Sequence, residues 1–578
     1  MKDLIYFEMR AYLYNREEQQ SVSLKLSELE KLWYCTQKNV KRRLKQFEAA
    51  GKLTYKPGKG RGHSSRLIFL SGFQEEIEKT VLQLVQNEKM EAIILLLQLP
   101  IPKAWIANVS KEVQALFGLH VSEQSKDVLR TMVTRNLTTL DPLHSSITFE
   151  TYLIHQLGDS LLAYHQEQDL LQPHLAHSWE QQDDGRIWTF YLRKGVRFHN
   201  GHGLTSEDVR ATFQRFQDHD SAHSWLTEDI RQIDCPSPYS IVFTLNKPNL
   251  LFPRYVSSHN LAILPANEPF DERKWIGTGP FRLKKRTDQL LVLQAFDDYF
   301  LTRPLLDEIE FYKVDPGMAS SHVYEIASEA SSAPSLQKSD IEVGFRFLAF
   351  NFKKKTIVHH PSFREAIYHL ADMNKLSSAS IEEELQEASS YFPWKSEPQR
   401  KELSKVSGLL KEAGYNGEPL KVFILDKKNE LERGKLFQEE ALKAGIHFEI
   451  QSYTLDQYYD PFLEQADLLF MGEVASTDYH LSFMGAFLNK ALIFNRFLAE
   501  SHMNRLNLFF EKIKQAPDRQ TREELIEETE DYIKKENLFI YLYHPMKNRT
   551  FHPMIRDIQF ESFGYVDFRR MWIKENRG

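Results

Sequence analysis

The chain has 578 residues, 42% of them hydrophobic and 26% charged, which excludes disorder and predicts three or four domains at about 150 residues each. Two cysteines, Cys35 and Cys235, exclude a disulfide framework, and the longest apolar run, 92–97, is far shorter than the ~20 residues of a membrane helix. Charge is unevenly spread: residues 1–70 hold 15 Lys and Arg against 7 Asp and Glu (+8), and the remainder 58 against 73 (−15). A basic head on an acidic body predicts a polyanionic partner for the head alone. No secretion signal is read at the N-terminus, where Glu8 and Arg10 interrupt the apolar pattern, so a cytoplasmic location without membrane contact is expected.

Residues 4–14 place Leu4, Phe7 and Ala11 on one helical face. A second helix is predicted from near Ser27, with Ser27 and Glu30 spaced as a capping box. Thr36 is placed to cap a third helix running to about Ala50, ended by Gly51 in the left-handed position. Val40, Leu44 and Phe47 form its inward stripe, and Gln37, Lys38, Asn39, Lys41, Arg42 and Lys45 lie on or beside the opposite face. Apolar runs at 53–55 and 66–70 flank the glycine-rich segment 57–62 and predict a hairpin. Its alternating glycines resemble a phosphate-binding loop, but the segment leads into a strand rather than a helix. Helices and basic hairpin together predict a winged helix-turn-helix over 1–70.

Between Thr36 and Arg66 stand ten Lys and Arg against one acid, Glu48. In a major groove Asn39 suits an adenine edge and Arg42 a guanine edge, while Lys38, Lys41 and Lys45 neutralise phosphate. Lys59 and Arg61, at the hairpin tip, suit phosphate or the minor groove. The predicted partner of Thr36, Gln37 and these seven residues is double-stranded DNA; a solvated basic helix, or a winged helix that binds protein, has the same charge pattern.

Residues 73–99 read as one long helix within a helical linker, 71–127, and the apolar face 93–97 can bury against the body or a second subunit. From about 128, strands at 128–134, 187–192, 240–245, 290–294 and 308–313 alternate with helices such as 149–162, an α/β body. No Gly-x-Ser-x-Gly elbow, Walker loop or His-Glu-x-x-His helix is present. His199 and His202, or His359 and His360, are the only metal candidates, and His174 and His177 suit packing. No enzyme, cofactor or metal is expected.

The body carries, in order, LDP (140–142), PHLAHSWE (173–180), WTFYLRKGVRFHNG (188–201), LTSEDV (204–209), GTGPF (277–281), DYF (298–300), LAFNF (348–352) and FREAI (363–367). This series resembles the family 5 solute-binding proteins of peptide and nickel transporters, over roughly 128–575. The resemblance implies two α/β lobes of the type II periplasmic-binding-protein kind, hinged about an enclosed solute. The first lobe would span 128–315 and 536–578, the second 316–535. Members of that family are exported, whereas a basic winged head stands here in place of the export segment. That combination resembles the SgrR-type transcriptional regulators.

By the same resemblance, Ser146 and Thr148 match ligand-contacting positions. In the segment MGEVASTDYH (471–480), the Asp that holds a peptide's amino terminus aligns with Ala475. The clamp for a zwitterionic peptide is then missing, and a sugar or another polar solute is implied. Glu473, Asp478, Tyr479 and Asn351 remain as polar groups suited to hydroxyls. Two functions are open: a DNA-binding regulator that senses a small polar solute (sugar, sugar derivative or peptide), or a cytoplasmic solute- or peptide-binding protein whose head docks to another protein.

Overall fold

The computed structural model describes residues 2–58, 64–102, 105, 113, 116–121, 126–314, 336–377, 384–551, 555–559 and 565–573. Lys59 and Arg61 lie outside the described residues. In the head, helices α1 (Lys2–Leu13), α2 (Leu26–Leu32) and α3 (Gln37–Ala49) pack on strands β1 (Ser21–Leu24), β2 (Leu53–Lys56) and β3 (Ser65–Phe69). The strands form an antiparallel sheet with β3 in the centre. Phe7 of α1, the α3 stripe of Val40, Leu44 and Phe47, and Leu53, Leu67 and Phe69 of the sheet are all buried. This is a winged helix-turn-helix.

Two local expectations shift. The cap of α2 is Lys25, whose backbone N–H donates to Glu28 Oε1 at 2.8 Å, so the Ser27/Glu30 pair is two positions late. Burial of Leu29 and Trp33 sets the phase of that helix, and any carboxylate at its third position reaches the cap. The single helix over 73–99 is two, α4 (Phe73–Gln86) and α5 (Met90–Leu97), broken where Glu88 takes φ 48°. Phe73, Ile77 and Val81 of α4 belong to the head core, whereas α5 lies between α1 and the body. One straight helix cannot present its apolar stripe in both directions.

Ile93, Ile94, Leu96 and Leu97 of α5 share one apolar cluster with the head core and with Leu290, Val292, Tyr312 and Val314 of the body. The 93–97 face is therefore buried within the chain. Polar contacts reinforce the joint: Gln98 donates to Gln289 Oε1 at 2.8 Å, Arg130 Nη2 to Glu88 at 2.9 Å, and Lys285 pairs with Glu91.

The first lobe contains a four-stranded antiparallel sheet ordered Ile230–Ser237, Ser240–Leu245, Ile187–Leu192, Ala176–Gln182. Its second sheet runs Phe281–Arg286, Leu290–Ala295, Glu308–Lys313, Asp127–Val133, Gly118–Val121. Gly118–Val121 thus brings part of the expected linker into this lobe. The motif GTGPF crosses the end of the helix Thr148–Leu157 so closely that a Cβ on Gly277 or Gly279 would lie 2.4 Å from the Leu157 backbone. Only glycine fits there.

The second lobe is built on a sheet ordered Leu336–Ile341, Phe539–Phe551, Gly344–Phe350, Leu468–Val474, Leu420–Leu425, Phe448–Tyr453. Phe539–Phe551 pairs with Gly344–Phe350, so the chain does not return to the first lobe at 536. The return comes later, where Val566, Phe568 and Met571 pack with Tyr152 and Leu157.

Candidate ligand cleft and nucleic-acid interface

A cavity of about 510 Å³ lies between the lobes. Ser146, Thr148, Trp225 and Asn260 line it from the first lobe, and Arg346, Lys427, Tyr458, Glu473 and Asn489 from the second. The lobes meet at Ser146, whose backbone N–H donates to the Tyr459 hydroxyl at 3.0 Å and whose hydroxyl accepts from the Asn489 amide at 2.9 Å. Behind it, His223 Nε2 and the Asn260 amide donate to the Ser145 carbonyl at 2.7 and 3.0 Å. Burial lowers the His223 pKa to about 4, so the ring is neutral at pH 7 and its Nδ1 faces the Asn489 amide at 3.4 Å. The loop holding Ser146 is thereby fixed from both lobes.

Strand Gly344–Phe350 supplies Arg346, whose guanidinium crosses Gly472 on the neighbouring strand; a Cβ there would lie 2.6 Å from Nη1. Arg346 Nη1 donates to Glu342 at 3.0 Å, and Lys547 pairs with the same carboxylate. Lys427 lies close enough to Arg346 for their charges to repel, and the carboxylates of Glu342 and Glu430 stand close enough to offset them, so this part of the wall carries charges of both signs. Glu473 differs: burial alone pushes its carboxyl up to about 8. At pH 7 it is largely protonated and can donate a hydrogen bond as well as accept one. The cavity therefore offers cationic donors, a neutral acid, hydroxyls and an amide.

Of the residues expected at the solute, Ser146, Thr148 and Glu473 line this cavity, whereas Asn351, Asp478 and Tyr479 are placed elsewhere. Asn351 is fully buried and its amide donates to the Glu464 and Ala466 carbonyls, both at 2.9 Å, bracing a loop. Asp478 caps the helix Tyr479–Leu488, accepting from the Leu481 N–H at 2.9 Å, and grips the guanidinium of Arg254 in the first lobe, with Nε at 2.6 Å. Arg254 Nη1 also reaches Asp169 at 3.3 Å, and Asp169 pairs with Arg522 of the second lobe. The Tyr479 N–H donates to Gln166 at 3.0 Å and its ring packs beside Trp394. Asp478 and Tyr479 hold the lobes together, because the carboxylate of one and the backbone N–H of the other are consumed by Arg254 and Gln166 of the first lobe. Ala475, at the position of the peptide-anchoring Asp, is buried.

Arg346, Lys427 and Asn489 were not legible as cavity residues. The one signal for Arg346 is a cation in the otherwise apolar strand GFRFLAF. His199 is occupied in packing: its Nε2 donates to the Gly279 carbonyl at 3.0 Å and its Nδ1 accepts from the Gly277 N–H at 3.3 Å. Among the described residues no group of three or more His, Cys, Asp and Glu is placed to hold a metal ion, and no helix is long and apolar enough to cross a membrane.

On α3 the stripe of Val40, Leu44 and Phe47 faces inward, so Thr36, Gln37, Lys38, Lys41, Arg42 and Lys45 stand exposed and Asn39 half-buried. Arg43 is withdrawn from that face, its guanidinium lying 5.2 Å from the Trp33 ring centroid. The head thus presents one continuous basic helix face to solvent.

Fold and cleft define a two-lobed solute-binding protein with a winged-helix head. The model for bacterial extracellular solute-binding proteins, family 5 Middle, matches residues 171–494, and the chain belongs to that family. Residues 7–117 match the N-terminal domain of the sugar transport-related sRNA regulator, so the architecture is SgrR-like. The chain is 28% identical to YhjP of Bacillus subtilis (strain 168) over 568 residues, 95% of this chain and 96% of that one. It is 29% identical over 346 residues to the HTH-type transcriptional regulator SgrR of Photorhabdus laumondii, and 28% over 366 residues to that of Salmonella typhimurium. These matches cover 58% and 61% of this chain and 59% and 62% of the two regulators, less than two thirds of their length.

Solved structures show the same body fold. The dipeptide-binding protein from Pseudoalteromonas sp. SM9913, in complex with Met-Leu, superposes with a TM-score of 0.68 at 18% identity over 77% of this chain and 100% of that one. AppA from Bacillus subtilis, in complex with a nonapeptide, gives 0.65 at 18% over 78% and 99%.

Proposed function

We propose that the chain is a cytoplasmic DNA-binding transcriptional regulator whose body senses a small polar solute (a sugar, a sugar derivative or a peptide) without converting it. The observation that carries this reading is the joint: a basic helix-turn-helix and a ligand-sized interlobe cavity are connected through one apolar cluster. A cavity of about 510 Å³ falls within the roughly 300–1,000 Å³ typical of small-molecule sites. Relatives named HTH-type transcriptional regulator SgrR, and solved neighbours holding a dipeptide and a nonapeptide, support the two halves of it.

On this reading Arg42 and Asn39 contact base edges, Lys38, Lys41 and Lys45 contact phosphates, and Thr36 and Gln37 approach the groove with the N-terminus of α3. Lys59 and Arg61 are assigned to the backbone or minor groove by charge. In the cleft, Ser146, Thr148 and Glu473 bind hydroxyl or amide groups, and Arg346 with Lys427 takes an acceptor-rich end of the solute. Asn351, Asp478 and Tyr479 act by shaping the lobes.

A gel-shift titration of the full chain with the duplex upstream of its own coding sequence tests the head. Binding that weakens steeply with salt is expected. A chain without salt-dependent affinity for any duplex would instead be a solute-binding protein whose head docks to another protein. Native mass spectrometry of the purified chain tests the body, and steady chemical conversion of a bound solute would overturn the sensor reading.

A further inference from the structure

Tyr34 stands in the turn between α2 and α3 and is 97% exposed, whereas its neighbour Trp33 is buried. Its backbone is left-handed, with φ 46°. A bulky side chain is disfavoured in that conformation, which Gly and Asn adopt far more readily. The turn itself is closed by backbone hydrogen bonds, from the Tyr34 N–H to the Lys31 carbonyl at 3.4 Å and from the Cys35 N–H to the Glu30 carbonyl at 3.1 Å. Glycine would form both. Neither packing nor turn chemistry therefore accounts for an aromatic residue here, and strain of this kind concentrates at functional positions.

Position supplies the account. Tyr34 precedes the cap residue Thr36 by two and the exposed Gln37 and Lys38 by three and four. In a helix-turn-helix the N-terminal residues of the second helix reach base edges, which brings the preceding turn to the sugar–phosphate rim of the groove. Tyrosine hydroxyls are among the donors that proteins use on phosphate oxygens.

Building on the DNA-binding reading, we propose that Tyr34 is a DNA-backbone contact: its phenol hydroxyl donates to a phosphate oxygen and its ring covers the adjacent sugar. The contact positions the head on the duplex and carries no base preference. Because the phenol is uncharged, it releases no counterion.

The test uses the full-length wild type with Y34F, Y34G and K38A, titrated over a range of salt. The probes are the duplex upstream of the coding sequence and a random-sequence duplex of equal length. Y34F is expected to weaken both duplexes about fivefold to tenfold, the net scale of one hydrogen bond in contact with water, and Y34G more. Neither variant should change the slope of log affinity against log salt, whereas K38A should reduce it by about one. Y34G should also leave the melting temperature unchanged or raise it. If the wild type binds but Y34F and Y34G bind equally well, within about twofold, this inference is overturned alone. If weaker binding tracks a lowered melting temperature, Tyr34 belongs to the fold and the inference is overturned as well. If the wild type binds neither duplex, the DNA-binding reading fails and takes the inference with it.

Discussion

Glu473 is an acid enclosed in the cleft, with no cation in position to offset it among the described residues, and burial raises its pKa from 4.5 to about 8. Between those values the folded chain holds a proton that the unfolded chain has lost. Stability contributed through this group is therefore highest below about pH 4.5 and falls as pH rises toward 8. Glu473→Gln removes the penalty. Its stability relative to wild type should grow from pH 5 to pH 8, by about 1–3 kcal/mol, which allows for water in the cleft. Denaturant titrations of both proteins across that range check it, and parallel profiles would place the carboxyl in contact with water instead. The same residue shows how far side-chain chemistry is legible in a sequence. Glu473 was reached through the segment that precedes the helix Tyr479–Leu488, whereas Asp478, five residues later, was misplaced because its partner Arg254 is 224 positions away.

Between elements, buried Arg254, Asp478 and Arg522 with half-buried Asp169 fasten the lobes at a place that does not line the solute cavity. Arg254→Gln would leave Asp478 without its ion pair in a dry site, a change expected to cost about 3–5 kcal/mol in denaturant unfolding of the body. Asp478→Asn should cost less, because Arg254 keeps Asp169 at 3.3 Å, and the double variant distinctly less than the sum, because both single changes break the same ion pair. Additive costs would show that the two groups act independently. Elements carried by local periodicity were legible: the α3 stripe, the Gly51 stop at φ 68°, and strands Ile187–Leu192, Ser240–Leu245 and Glu308–Lys313. Elements decided by remote packing were not. The four-residue strand β1 is stabilised by pairing with β3 more than 40 positions later, and the break at Glu88 follows from two docking surfaces, neither visible in the apolar pattern of 73–99.

At the scale of the whole molecule, α5 makes the head and the first lobe one body. Its residues Ile93, Ile94, Leu96 and Leu97 share a core with Tyr312 and Val314, and Gln98 reaches Gln289. A solute that prefers closed lobes must then change DNA affinity if closure moves the head or the face it presents. By linkage, DNA must change solute affinity by the same factor, typically about 5–150-fold. Operator affinity should therefore differ with and without the solute that co-purifies with the chain. Combining Ile94→Ala with Tyr312→Ala loosens the joint without touching α3 or the cleft, so both binding activities should survive while their coupling shrinks toward onefold. Equal operator affinities for the wild type, with lobe closure verified independently by scattering, would make the body a tethered binder rather than a sensor.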